Sequence, residues 1–264
     1  MSVVFICGSH PRHAYIARQI ASTGHLSYLI IEQREAHLPT PDSSLSKDLK
    51  DLFNHHFSER ERIENVFFGK LEWPDVPILS VSKDELNSSN VIDIISRYAK
   101  SLLLSYGCHK LDNVLLDEGP KHRWNCHGGL SPWYKGAITH FWPSYMLEPQ
   151  MTGMTVHELT ADLDAGAVVH QCVSPLVRGD TLHMLAARAV LEIGKDLPRL
   201  VNMAINNHDF KKKSHDSSGM LWRSGQWQPH HLDLIYCQFK DRIVDAFLDG
   251  KLGNKAPKIF RQFA

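Results

Sequence analysis

A short apolar run, Val3 to Cys7, ends at Gly8-Ser9, and a helical pattern through Tyr15, Ile16, Ile20 and Ala21 follows at once. Leu26 to Ile31 is a second apolar run, closed by polar Glu32-Gln33-Arg34. Strand, helix and strand within roughly 30 residues make a βαβ unit, which commits the chain to a parallel sheet with right-handed crossovers. The rest of the chain extends that plan. Pro39 to Phe68 opens as a Pro/Ser loop and continues as a charged helical segment. Pro77 to Val81 and Ser101 to Ser105 read as strands, with a helix over Val91 to Tyr98 between them.

Further on, Trp124 to His127 reads as the end of a short strand, and Thr139 to Leu147 as a helix packed through Phe141 and Trp142. Thr152 to Leu159 and Ala167 to Val173 are strands by alternation. Asp180 is placed to cap a helix from Leu182, in which Leu185, Ala186, Ala189, Val190 and Ile193 keep helical spacing. Gly194 and Pro198 are expected to bend or interrupt it. The fold class expected is α/β: a Rossmann-like, mostly parallel sheet over residues 1–210. A polar linker over 211–219 and a small C-terminal appendage over 220–264 complete it. The appendage holds Trp222, Trp227 and a helical stretch near Leu232 to Leu248, and both tryptophans are expected to pack it or a dimer surface.

Composition narrows the function classes. With 264 residues, 43% of them hydrophobic, the chain can bury one large α/β domain plus an appendage. Lys+Arg and Asp+Glu are both 29, a balance that disfavours a nucleic-acid binder. The five cysteines are scattered without a CxxC, which points to a reduced, cytoplasmic protein with no disulfide framework. No stretch reaches transmembrane length, and the histidines and cysteines lack paired metal-ligand spacing, so no metal is expected.

The chemistry concentrates in RWNCHGG. On a strand, side chains alternate between faces, so Asn125 and His127 point the same way and Cys126 points into packing. Gly128-Gly129 then lets backbone approach a ligand closely. An amide donor beside an imidazole, answered by a carboxylate in ADLDAG, suits a reaction in which an oxyanion forms while a proton moves. No nucleophile accompanies them, so direct transfer between two bound substrates is expected. From the residues alone, Asp162 and Asp164 are equally eligible as the carboxylate. The plainer reading makes Asn125 a turn cap, His127 a core histidine and Asp164 the start of a turn. Gly8, Ser9 and Arg12 occupy the first strand-to-helix turn, a natural anion site in which Arg12 could meet a substrate phosphate; the alternative is an ordinary surface arginine.

NCHGGLSPWYKG followed by GMTVHELTADLDAG resembles the core of the tetrahydrofolate-dependent formyltransferases: Asn-x-His, a Leu-x-Pro turn ending in Gly, Gly-hydroxyl-x-Val-His, then Leu-Asp-x-Gly. LLLSYGCHKL, and HFW at His140 to Trp142, resemble the branch that formylates amino sugars on nucleotides. The chain departs from the common pattern at His127-Gly128-Gly129-Leu130-Ser131-Pro132, where His-Pro-Ser-Leu-Leu-Pro is usual, and the loop is therefore expected to be more flexible.

The resemblance implies that Asn125, His127 and Asp164 are catalytic. Asn125 and His127 would donate to the formyl oxygen, while Asp164 orients His127 and helps pass the proton. It further implies a folate pocket from Ser105, Tyr106, Gly107, Cys108, Leu111, Ala161 and Asp162, and acceptor contacts from Gly8, Ser9, Arg12 and Trp142. The co-substrate would be 10-formyltetrahydrofolate. The acceptor would be a nucleotide-linked 4-amino-4,6-dideoxy sugar, such as GDP-perosamine or a dTDP-linked relative, destined for O-antigen or another surface polysaccharide. A homodimer is expected on the same ground. The rivals are glycinamide ribonucleotide or methionyl-tRNA as acceptor, or a non-catalytic folate or nucleotide-sugar binder.

Overall fold

The computed structural model describes residues 2–34, 38–160, 162, 164–215, 219–253 and 255–263. In chain order, β1 (Val3–Cys7), α1 (Pro11–Ala21) and β2 (Leu26–Glu32) form the opening βαβ unit. The chain continues through α2 (Lys47–Phe68), β3 (Ile78–Val81), α3 (Ser89–Tyr98), β4 (Leu102–Tyr106), α4 (Asn113–Asp117) and β5 (His122–His127). After these come β6 (Tyr134–Gly136), α5 (Trp142–Tyr145), β7 (Gly153–Glu158), β8 (Val168–Val173), α6 (Leu182–Ile205), β9 (Met220–Trp222) and α7 (Ile243–Leu248).

The main sheet has seven strands in the order β3-β2-β1-β4-β5-β7-β8. Its first five strands pair in parallel and the last two antiparallel, so the mostly parallel α/β sheet expected from the sequence is present. All five residues of β1 are buried, as an unbroken apolar run at the centre of a sheet covered on both faces must be. Ile16 and Ile20 of α1 with Val190, Ile193 and Leu197 of α6 fill one layer, and Val91 and Ile95 of α3 with Leu103 and Leu115 fill the other. Strand order reverses between β1 and β4, and the carboxyl ends of the strands at such a switch point open the crevice where α/β sheets bind ligands.

Several local expectations are corrected. α6 runs unbroken through Gly194 and Pro198. A side chain at Gly194 would meet the Tyr15 ring at 2.5 Å, so this glycine permits close α1–α6 packing. Thr181, not Asp180, caps α6, its hydroxyl accepting from the Met184 N–H at 3.4 Å, while Asp180 pairs with Arg188 at 2.6 Å. The helix expected over Thr139 to Leu147 shrinks to α5, because Ile138 and Leu147, with φ of 58° and 59°, turn the chain on either side. The stretch near Leu232 to Leu248 is likewise split into a π-turn over Leu234–Gln238 and α7, separated by Lys240 and Asp241 at φ of 52° and 53°.

The C-terminal residues return to the body of the fold. β9 pairs in parallel with β6, and Leu232, Ile235 and Ile243 join Phe141, Trp142 and Leu182 in one buried cluster. Lys213 exchanges backbone hydrogen bonds with Val168, and the Gln171 N–H donates to the Phe260 carbonyl at 2.7 Å.

Candidate active site

A cavity of about 790 Å3 opens at the carboxyl ends of β1, β4 and β5, within the size range of small-molecule sites. Asn125, His127 and Asp164 all line it. Strand alternation on β5 brings the first two together and sends Cys126, fully buried, into the core; burial pushes its thiol well up, so it carries no nucleophile's role. Asp164 arrives from the turn between β7 and β8 with φ of 47°, a left-handed conformation that a short polar side chain tolerates. Asp162, the other eligible carboxylate, also lines the cavity but is exposed and stands outside the cluster's hydrogen bonds.

The hydrogen bonds fix each group's role. Ser105 Oγ donates to Asn125 Oδ1 at 3.0 Å, which leaves Nδ2 facing His157 Nε2 at 3.2 Å and Asp164 Oδ1 at 3.4 Å. A flipped amide would set its oxygen against a carboxylate, so the orientation is electrostatically determined. His127 Nε2 lies 2.9 Å from the Tyr134 carbonyl, which can only accept; Nε2 therefore carries the hydrogen and Nδ1 faces Asp164 Oδ2 at 3.5 Å. By the same reasoning His157 Nδ1 donates to the Glu158 carbonyl at 2.8 Å, and its Nε2 faces Asp164 Oδ1 at 3.3 Å. The Gly136 N–H donates to Asp164 Oδ2 at 2.7 Å.

Burial works against the charge on Asp164. The His127 and His157 imidazoles and the Gly136 N–H outweigh it and hold the carboxyl well below its ordinary range. Burial lowers His127, with Asp164 opposing, so the imidazole is neutral at neutral pH. The cluster thus sets the ionised Asp164 carboxylate between the His127 and His157 rings. It favours positive charge developing on an attacking amine and gives the released proton a place on Nδ1 of His127 or Nε2 of His157. Both ring nitrogens of His127 are engaged by protein groups. Asn125, partly exposed, has both amide hydrogens engaged by protein groups, at His157 Nε2 and Asp164 Oδ1, and would meet a developing oxyanion by turning the longer of these bonds toward it.

The Gly128-Gly129 turn is not loose, contrary to expectation. The Thr139 hydroxyl donates to the Gly128 carbonyl, Thr155 Oγ1 donates to the Gly129 carbonyl at 2.7 Å, and the Ser131 N–H donates to Thr155 Oγ1 at 3.0 Å. A Cβ at Gly129 would stand 2.5 Å from the Tyr134 carbonyl oxygen and 2.7 Å from His127 Nε2. The glycine thus leaves room for the bond that sets the His127 tautomer.

Ser105, Tyr106, Gly107, Cys108 and Leu111 of the β4 loop line the same cavity, as does Asp162; Ala161 lies outside the described residues. Glu32, fully buried at the end of β2, holds this loop through the His109 N–H at 2.7 Å. Arg12 reaches the cavity and pairs there with Glu64 of α2. Three expected acceptor contacts do not reach the lining. Gly8 sits beneath the His13 ring and donates to the Tyr106 carbonyl at 3.1 Å, and Ser9 Oγ accepts from the Arg34 N–H at 3.0 Å. Trp142 is buried, stacked on Trp222 at 4.0 Å, with its indole N–H donating to the Ala137 carbonyl at 3.1 Å.

Sequence reading passed over His157, His56, Arg60, Glu64, His183 and Arg223 as site residues and took Trp222 and Trp227 for packing; all of them line the cavity. His56, Arg60 and Glu64 are spaced by four, one face of α2, and that signal was present in the sequence. His157 is brought in by strand register, opposite Asn125, which spacing cannot reveal.

Residues 48–201 match the sequence model described as "Formyl transferase". This chain belongs to the formyl transferase family. Its fold is similar to that of a sugar N-formyltransferase from a Shewanella species, at 16% identity over 89% of this chain and 87% of that one, with a TM-score of 0.56. It is similar to a Helicobacter canadensis N-formyltransferase solved with folinic acid and dTDP-3-aminofucose, at 14% identity, 86% and 73% coverage and a TM-score of 0.53. It is also similar to phosphoribosylglycinamide formyltransferase from Anaplasma phagocytophilum, at 17% identity, 84% and 98% coverage and a TM-score of 0.54. No described helix is long and apolar enough to cross a membrane.

Proposed function

We propose that this protein transfers the formyl group of 10-formyltetrahydrofolate to the amino group of a nucleotide-linked amino sugar. The observation that carries the reading is the meeting of Asn125, His127 and Asp164 in one cavity with the Ser105–Leu111 loop. The residues fit a folate co-substrate: the loop exposes main chain at Gly107, whose φ is 66°, and Leu111 and Leu159 add apolar lining beside it. A pterin edge, with its alternating amide and amino groups, matches main-chain donors and acceptors of that kind. When bound, the folate supplies the one-carbon unit. Asn125 then holds the formyl oxygen, and the Asp164–imidazole pair takes the proton from the attacking amine and returns it toward the departing folate nitrogen.

A 4-amino-4,6-dideoxy sugar on GDP or dTDP is the acceptor that best fits the Ser-Tyr-Gly and His-Phe-Trp segments. Its product would enter O-antigen or a similar surface polysaccharide from the cytoplasm. Arg12 is assigned to the acceptor's phosphate side, and the protein is assigned a homodimeric state. Residues 1–210 then form the catalytic domain, with 220–264 appended through 211–219. Incubation with 10-formyltetrahydrofolate and a panel of GDP-, dTDP- and UDP-amino sugars, read by mass spectrometry, tests the reading. Glycinamide ribonucleotide belongs in the panel. Formylation of that compound alone would replace the sugar with the purine precursor.

A further inference from the structure

Part of the cavity wall is built from the C-terminal segment. β9 is laid against β6 with its Trp222 carbonyl accepting from the Ala137 N–H at 2.8 Å. Gly136, the same residue that donates to Asp164, has φ of 92°, and a Cβ there would meet the Trp222 carbonyl oxygen at 2.0 Å. The tail is therefore seated directly on the catalytic cluster. Trp222, Arg223, Ser224 and Trp227 all line the cavity.

These groups are chemically unfinished. The indole N–H groups of Trp222 and Trp227 are buried and find no acceptor among the described residues. A buried donor without a partner is costly unless a ligand satisfies it. Arg223 is exposed at the cavity wall and has no carboxylate partner among the described residues, whereas Arg12 is paired with Glu64 and Arg34 with Glu32. Trp227 packs edge-on against Phe57, ring centres 6.0 Å apart, and the Arg60 guanidinium lies 4.8 Å from the Phe57 ring centre. Aromatic faces, indole donors and guanidinium groups around one space suit a ligand that is planar at one end and anionic at the other.

We infer that the segment Trp222–Trp227 is the acceptor-recognition wall, with Arg223 binding the diphosphate of a nucleoside diphosphate group and the Trp227 indole N–H donating to it. The inference rests on the nucleotide-sugar reading above and adds the subsite to it. It also assigns the two tryptophans, read from sequence as packing residues of the appendage, to ligand binding.

Calorimetric titration of the full-length protein with GDP, dTDP and UDP, and separately with 5-formyltetrahydrofolate, tests it. For the preferred nucleoside diphosphate, Arg223→Ala is expected to raise Kd at least about tenfold, the loss of one hydrogen bond to a charged group. Trp227→Phe, which keeps the ring and removes the donor, is expected to raise it several-fold. Binding of 5-formyltetrahydrofolate should stay at the wild-type value in both. Unchanged nucleotide affinity in Arg223→Ala overturns the inference and leaves the acceptor reading standing. So does a parallel loss of folate binding, which would mark a merely structural wall. Wild-type protein that binds the folate but none of the three nucleotides overturns both.

Discussion

Asn125 and His157 stand directly opposite each other on β5 and β7, with Asn125 Nδ2 3.2 Å from His157 Nε2. Because His157 Nδ1 is committed to the Glu158 carbonyl, its Nε2 presents a lone pair that can only accept. The imidazole thus holds the amide of Asn125 with its second hydrogen on the Asp164 side. His157→Ala is expected to lower kcat about tenfold to a hundredfold through misplacement of that amide. The KM for the folate should be nearly unchanged. His157→Gln, whose side-chain oxygen can accept the same hydrogen, should recover part of the loss.

Gly129 and Gly128 make a matched pair of substitutions. A Cβ at Gly129 meets the Tyr134 carbonyl oxygen at 2.5 Å, whereas one at Gly128 meets only the His140 ring, at 3.3 Å. Gly129→Ala should destabilise the fold by about 1–3 kcal/mol, the range for overpacking, and reduce turnover through His127. Gly128→Ala should be milder on both counts. Urea midpoints and steady-state rates for the two variants check the contrast.

Buried histidines set an acid limit on stability. His13, His56 and His183 are buried, and burial pushes all three imidazoles below their ordinary value, His183 to about 3. Below pH ~6.5 the unfolded chain binds protons that the native state refuses. Their contribution to stability is complete above that value and is lost as pH falls through the folded values. The slope is about 1.4 kcal/mol per pH unit for each histidine. Asp164, also held low, acts in the same direction. Urea midpoints measured from pH 7 to 4.5 should fall steeply, and His183→Gln should flatten the fall.

The sheet was legible because strand-forming runs such as Val3 to Cys7 and Leu26 to Ile31 are apolar without interruption, a pattern imposed by burial on both faces. Asn125 and His127 were legible because alternation on one strand suffices to place them together. The choice between Asp162 and Asp164 needed the backbone of the β7–β8 turn, and His157 needed strand register. The tail's position needed the β6–β9 pairing, a contact between three-residue strands far apart in the chain. Short strands carry too little periodicity to announce a partner. Trp142 was misplaced for a related reason: its neighbour Phe141 lines the cavity, but the short helix turns Trp142 toward Trp222.

The central claim is that Asn125 and Asp164 act on the transferred group and do not merely hold the turn. Single-turnover formylation of the preferred acceptor, followed by mass spectrometry in wild type, Asn125→Ala and Asp164→Asn, tests it most directly. The predicted result is a rate lower by about 100- to 1000-fold in Asn125→Ala, the loss of one oxyanion donor, and a comparable fall in Asp164→Asn, with both variants folded at the assay temperature. Near-wild-type rates in both folded variants would contradict it.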